Sequence, residues 1–243
     1  MQTWGLTDPG NIRQQNQDAY AIVPFGRDRV LMIVCDGMGG AKSGNVASSL
    51  AVEVFTDEVR RTQKAGMSPE KASAMLRSAL ELANRAVYEQ SQLSEDFTGM
   101  GTTLVAAWLN RDLAVIINVG DSRAYHFTKE DVRLITRDHS MVAYMVERGE
   151  LTQEQAKLHP GKNVITRAVG TEPEVEGDVF TCRLRREECI LLCSDGLSNE
   201  MADQEMLFEV VHGLNKSDCC QRLLHIAKKR GAPDNVTVAL AAV

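Results

Sequence analysis

Apolar residues along this chain fall into two patterns. Short, mostly apolar segments predict strands at residues 30–35, 104–109, 113–119, 124–127, 132–135, 190–193 and 236–240. Asn110-Arg111-Asp112 and Lys129-Glu130-Asp131 sit between consecutive runs and read as hairpin turns. Longer stretches carry apolar residues at helical spacing. One spans 44–63 through Val46, Leu50, Val54 and Val59. A second opens at Ser68 as N-cap with Pro69 in the first helical position, and its face runs Ala72, Met75, Leu76, Ala79, Ala83, Ala86 and Val87. Shorter helices are predicted at 140–148, 152–158, 203–212 and 217–229. Consecutive hairpins with helices grouped between them predict antiparallel sheets with helices packed outside, not a βαβ alternation. No repeat or low-complexity linker divides the sequence, so one domain over residues 1–243 is expected.

Composition removes several function classes. Lys plus Arg is 27 and Asp plus Glu is 33, a formal net charge of -6. That balance disfavours nucleic acid and anionic membrane surfaces as partners. The longest apolar runs, 113–117 and 190–193, are far too short to cross a bilayer, and residues 1–5 lack a basic stretch leading into an apolar run. A cytoplasmic protein is expected. Cys35, Cys182, Cys189, Cys193, Cys219 and Cys220 form no C-x-x-C pair, which disfavours a zinc ribbon and predicts reduced, buried thiols. The five histidines form no H-E-x-x-H motif and read as surface or satisfied core residues.

Acidic turns carry the chemistry. The 30–35 strand ends in Asp36-Gly37, and the 190–193 strand ends in Ser194-Asp195-Gly196. Asp-Gly after a strand ordinarily makes a hairpin, but a helix follows here in both cases. Each strand therefore delivers a carboxylate to a sheet edge beside a residue that lets a ligand approach. Asp234 precedes the 236–240 strand, Asp121 follows the 113–119 strand in what also reads as a plain turn, and Asp8 and Asp18 flank an early loop. Carboxylates that converge need protons or hard cations, and an all-oxygen set favours Mg²⁺ or Mn²⁺ over zinc. A P-loop-like nucleotide binder is the runner-up reading, since residues 36–43 lie between a strand and a helix and end in Lys42-Ser43. The positions that need glycine hold Asp36 and Ala41, and an acid there repels phosphate.

Seven motifs in order then resemble one family. They are Asp8-x-Gly10-x-x-Arg13-x-x-Asn16-x-Asp18, Asp36-Gly37-Met38-Gly39-Gly40 with Gly44 and Ala47-Ser48, Gly99-Met100-Gly101-Thr102-Thr103, Val119-Gly120-Asp121-Ser122-Arg123, Asn163-Val164-Ile165-Thr166-Arg167-Ala168, Cys193-Ser194-Asp195-Gly196-Leu197 and Pro233-Asp234-Asn235-Val236-Thr237. Together they resemble the metal-dependent serine/threonine protein phosphatases of type 2C, in their compact bacterial form. The resemblance implies an α+β fold, a four-layer αββα sandwich of two antiparallel sheets with helix pairs outside. It implies hydrolysis of phosphoserine and phosphothreonine in proteins by a metal-bridging hydroxide, with two or three Mn²⁺ or Mg²⁺ ions. Asp36 would bridge two ions and the Gly37 carbonyl would join one of them. Asp195 and Asp234 would complete the other, and Asp18 would act on the metal shell. Arg13 would hold the substrate phosphate, and Asp121 with Asp195 would hold a third ion. Phosphoproteins, a Ser/Thr kinase among them, are the expected partners of a monomer, and residues 137–166 would form a flap beside the cleft.

The sequence also departs from the family pattern. Met38 and Ala41 stand where relatives carry a histidine thought to protonate the leaving alcohol, so the general acid is unassigned. Gln17 and Asn45 replace common glutamates. A catalytically silent phosphoprotein-binding adaptor is the alternative reading, although the metal acids Asp36, Asp195 and Asp234 are all kept.

Overall fold

The computed structural model describes residues 1–213 and 215–243. The side chains of Gly40, Ala41 and Lys42 also lie outside the described residues, and with them the Lys42 ammonium and the Ala41 position weighed above.

Two antiparallel sheets stack face to face. The first has the order β1 (Gln2–Asp8), β11 (Val236–Ala242), β10 (Cys189–Cys193), β7 (Arg123–Phe127), β8 (Val132–Leu134). The second has the order β2 (Asp18–Pro24), β3 (Arg29–Met38), β5 (Leu104–Asn110), β6 (Leu113–Val119), β9 (Asp178–Arg183), with the short β4 (Gly101–Thr102) paired to the end of β3. Strand alternation sorts the side chains into layers. Val30, Met32 and Val34 of β3 face Ile190, Leu192, Ala239 and Ala241 of the other sheet. Leu31, Ile33 and Cys35 point the opposite way, against α1 (Gly40–Thr62) and α2 (Pro69–Ser91). On the far side Leu191, Cys193, Val238 and Leu240 meet α5 (Asp195–Ser198), α6 (Asp203–Leu207) and α7 (Cys219–Lys229). The four-layer sandwich is thus present. Central strands read as continuous apolar runs because both their faces are covered.

Four named strands escaped the hydrophobic pattern: the two-residue β4 and three sheet edges. β1, β2 and β9 are mostly half-exposed; β1 and β9 mix Thr, Gln and Asp with their apolar residues, whereas β2 does carry the apolar run 19–23, which the strand expectations left out. The Ser68 cap and Pro69 start of α2 are as expected, with the Ser68 hydroxyl accepting from Lys71 N–H. The 140–148 and 152–158 helices appear as α3 (Met141–Glu147) and α4 (Gln153–Leu158). All six cysteines are buried and free.

At one end of the sandwich a polar chain stitches the sheets together. Asp18, on β2, accepts hydrogen bonds at Oδ2 from the Ser194 hydroxyl (2.7 Å) and the Thr237 hydroxyl (2.6 Å), both on the other sheet. Thr237 spends its proton on Asp18, so it accepts from Thr7 at 2.6 Å, and Thr7 in turn accepts from Asn16 Nδ2. Ser194 Oγ accepts from Thr237 N–H. Replacing Thr237 by valine keeps the shape and removes a donor to a buried carboxylate. We expect Thr237→Val to lower the unfolding free energy by about 1–3 kcal/mol at unchanged denaturant slope. The loss should be larger at pH 8 than at pH 5, because Asp18 carries its charge in the folded state only above about pH 6. A midpoint that does not move at either pH contradicts the stitch.

Candidate metal centre

The pairing of β2 with β3 sets Asp18 directly opposite Asp36. Two carboxylates are thereby brought side by side at the end of the second sheet, where like charge makes the pair costly. The backbone there is tightly held. Asp36 N–H donates to Thr103 Oγ1 at 2.9 Å, while Asp36 O accepts from Thr102 Oγ1 and from Thr103 N–H. Gly37 is required by space: a Cβ there would overlap the carbonyls of Gly44 and Gln17.

The other sheet supplies the facing acids. Asp195 opens α5 at the end of β10; its Oδ2 accepts from Asn199 Nδ2 at 3.0 Å. Gly196 must be glycine because the Asn235 carbonyl occupies the space of a Cβ. Asp234 stands just before β11, with Oδ1 accepting its neighbour's Asn235 N–H and Oδ2 paired to Arg13 at 2.9 Å. Asn235 itself bridges the loops, accepting from Gln17 N–H and donating to the carbonyls of Pro9 and Gln15. Asp121 arrives from the β6–β7 turn, where Ser122 and Thr103 hydroxyls meet at 2.7 Å.

One cleft of about 630 Å³ collects these groups. Its lining includes Arg13, Asp36, Gly37, Asp121, Asp195 and Asp234, with Asp18 buried behind them. Every one of the sequence-predicted site residues is therefore at this end of the sandwich. Neutral Gln14, Gln15 and Asn163 also line it, and none of its lining residues is a histidine.

The electrostatics are those of acids crowded together, with Arg13 paired to one of them. Burial pushes Asp36 well above the ordinary carboxylate range, and Asp18, Asp195, Asp121 and Asp234 add to the rise. Burial also lifts Asp18 to about 6, held back by the Thr237 and Ser194 hydroxyls. Asp121 rises to about 7 through burial and then the charges of Asp195 and Asp138. Asp195 is raised by burial and by Asp234. Arg13 is stabilised as a cation first by its bond to Asp234. Asp18 Oδ1 and Asp195 Oδ1 are buried and face no donor group, although Asp36 is close enough to share a proton with either carboxylate. Among the described residues, no three His, Cys, Asp or Glu side chains close around one point tightly enough to hold an ion by themselves. An ion here would take carboxylate, carbonyl and water oxygens together, the ordinary habit of a hard cation that keeps part of its hydration shell.

A second cavity of about 760 Å³ adjoins the first and shares Asp121, Asn163 and Asp195 with it. It runs between α3–α4 on one side and the α5–α6 segment on the other. The residues that sequence reasoning overlooked are mostly hydroxyls and amides: Ser194, Thr237, Thr103 and Asn235. Each lies within one of the quoted motifs, and that membership was the available signal. His139 left no such signal, for its nearest motif residue in sequence lies far away.

With this geometry in hand, the comparisons with known proteins fall into place. The profile of the family described as protein phosphatase 2C matches residues 12–231. Serine/threonine phosphatase stp of Listeria welshimeri is 37% identical over 234 residues, covering 96% of this chain and 92% of that protein. Serine/threonine phosphatase Stp1 from Staphylococcus aureus superposes with a TM-score of 0.92 at 36% identity, over 99% of this chain and 94% of that one. The catalytic domain of the serine threonine protein phosphatase PstP, solved in complex with 2 manganese ions, superposes with a TM-score of 0.84 at 30% identity, over 99% and 97%. No helix among the described residues is long and apolar enough to cross a membrane. The chain belongs to the protein phosphatase 2C family.

Proposed function

We propose that this chain is a metal-dependent protein phosphatase that hydrolyses phosphoserine and phosphothreonine esters. The observation that carries the reading is the convergence of Asp36, Asp121, Asp195 and Asp234 with Arg13 in one cleft. The donor set fits hard cations: it is all oxygen, it holds buried carboxylate oxygens that meet no donor, and Asp36 and Asp121 are raised by burial and then by neighbouring carboxylates. Mn²⁺ or Mg²⁺ would be held by Asp36 and the Gly37 carbonyl on one side and by Asp36, Asp195 and Asp234 on the other. Asp121 with Asp195 would hold a third ion, and Asp18 would orient the shell from behind. When bound, such cations neutralise phosphate charge and acidify a water.

The chain's own residues do the rest. Asp18 keeps Oδ2 engaged by two hydroxyls, which fixes its carboxylate opposite Asp36 in the β2–β3 register. Arg13 stands at the mouth of the cleft, where its planar fork suits two phosphate oxygens. Its bond to Asp234 places the guanidinium beside the metal acids and leaves it partly exposed to an arriving substrate. No histidine lines the cleft, so the leaving alcohol takes its proton from a group other than imidazole. Retention of all three core acids in one cleft favours an enzyme over a silent adaptor. Phosphoproteins, including a Ser/Thr kinase and its substrates, are the proposed partners of a monomer acting in the cytoplasm.

Residues 137–166 are the proposed flap within a single domain. α3 buries only Val142 and α4 only Ala156, while Tyr144 is 56% and Leu158 86% exposed. Few buried contacts mean low local stability. The cavity between the flap and α5–α6 gives room for the chain on either side of a phosphorylated residue.

Asp36→Asn and Asp234→Asn should each abolish turnover of a phosphoester with the fold retained, since one neutral oxygen replaces a charged pair. Wild-type rates in both at modest Mn²⁺ contradict the assignment. Arg13→Ala should instead raise KM with little change in Mn²⁺ dependence.

Cation binding should also depend on pH in a defined direction. The folded, metal-free chain holds protons on Asp18 up to about pH 6 and on Asp121 up to about pH 7, whereas an ordinary aspartate has released its proton by about pH 4. Its stability therefore falls as pH rises through that window. A divalent cation competes with those protons, so Mn²⁺ should raise the melting temperature more at pH 7.5 than at pH 5. An equal rise at both pH values, or none, counts against the site.

Met145→Ala combined with Val146→Ala should alter phosphopeptide turnover more than turnover of a small aryl phosphate. Amide exchange as slow through residues 140–158 as in β11 would rule out a mobile flap.

A further inference from the structure

His139 is 8% exposed and takes no part in the reaction described above. It lies immediately before Ser140, the N-cap of α3, at the root of the flap. Its backbone N–H donates to Gly120 O at 2.9 Å, and its carbonyl accepts from Thr166 N–H at 2.8 Å, where the flap returns. Its ring makes three further contacts. Nδ1 lies 3.1 Å from Gly120 N, and Nε2 lies 3.3 Å from both Asp178 Oδ2 at the start of β9 and Arg167 Nη1, which itself donates to Asp178 Oδ1. A backbone N–H can only donate, so Nδ1 must carry the lone pair and Nε2 the proton. Burial and the neighbouring Arg167 both lower the pKa of this ring, in keeping with a neutral imidazole.

Gly120 is the residue that this ring holds, and it controls Asp121. It has φ +101, a conformation that favours glycine, and a Cβ would collide with Thr103. On the other side of Asp121, Ser122 is tied to Thr103, which also holds Asp36 N–H. Asp121 is therefore presented between two fixed points, the Gly120–His139 contact and the Ser122–Thr103 contact. We propose that His139 is a positioning residue that, through its Nδ1 lone pair, locks the Gly120 turn, sets the Asp121 carboxylate in the cleft and couples it to the root of the flap. The inference deepens the metal-site reading of Asp121 and rests on it for its effect on the ion. Partners behind a metal ligand orient it, and their loss typically weakens metal binding about 10–100-fold.

Two near-isosteres separate the two nitrogens. His139→Asn keeps an acceptor where Nδ1 sits; His139→Gln keeps a donor where Nε2 sits. The expected result is that the Gln variant exchanges the Gly120 amide proton about tenfold faster or more and needs about tenfold more Mn²⁺ for half-maximal activity, while the Asn variant stays near wild type in both. In wild-type protein, nitrogen NMR should show the His139 proton on Nε2. A proton on Nδ1, or equal Gly120 exchange in the two variants, overturns the proposal, and the wild-type measurement decides even where a variant fails to fold. Asp121→Asn serves as the reference. Should it leave the Mn²⁺ requirement unchanged while Gly120 exchange responds to Gln but not Asn, then the reading of Asp121 as an ion ligand fails and the His139 lock stands.

Discussion

The structure turns on a repulsion. The β2–β3 register places Asp18 opposite Asp36, and the facing sheet adds Asp195 within reach of both. No fold gains stability by gathering acids in a partly dry cleft, where each raises the pKa of the next. The sandwich tolerates the cluster because its apolar layers are continuous and because polar hydrogens are aimed at the acids from behind. Asp18 is the most deeply set and the best served, with two hydroxyl donors from the opposite sheet. Those same two bonds join the sheets. The interaction that makes one buried carboxylate bearable is thus the interaction that fixes the distance across the cleft.

This double duty explains why short side chains and glycines crowd the site. Thr102, Thr103, Ser122, Ser194 and Thr237 are buried, and four of their hydroxyls hold Asp18 or the Asp36 backbone at fixed distance. Gly37 and Gly196 occur where backbone of the adjoining segment leaves no room for a Cβ, Gly44 and Gln17 against the first and Asn235 against the second. The acids are therefore carried by main chain that has little freedom to move. Charge arriving in such a site meets oxygens already in place, and the organising cost is met during folding, not at binding.

Legibility in the sequence followed burial. β5, β6, β10 and β11 are covered on both faces and read as almost wholly apolar runs, and 113–119 coincides with β6 residue for residue. β1, β2 and β9 are half-exposed edges, and mixed composition hides β1 and β9. Among the site residues, acids following a strand stood out because a helix, not a return strand, came next. Arg13 and Asp18 became readable only through the family resemblance, since an exposed loop has no periodicity to violate. The hydroxyl donors were invisible one at a time: a serine or threonine in a strand is ordinary, and only the pairing of two sheets reveals that Ser194 and Thr237 point at one carboxylate. His139 lay beyond both kinds of signal, because its partner Gly120 is distant in sequence and its meaning lies in a ring nitrogen.

A common physical thread joins the cleft to the flap. Residues 135–139 pass from the first sheet to the second, with Ile135 N–H bonded to Ala124 O and His139 bonded to Gly120. Arg123, on the strand between those points, grips Asp138 through both carboxylate oxygens. The segment that launches the flap is hence the segment that holds the Asp121 turn. Displacement of the flap root cannot leave Asp121 where it was, because Gly120 would lose its acceptor and its left-handed turn would lose its support. Conversely, a cation that draws Asp121 inward would load the same hydrogen bonds from the other end. Coupling of this kind needs no long pathway: one imidazole with a lone pair on one side and a proton on the other is sufficient to make the flap and the carboxylate a single mechanical unit.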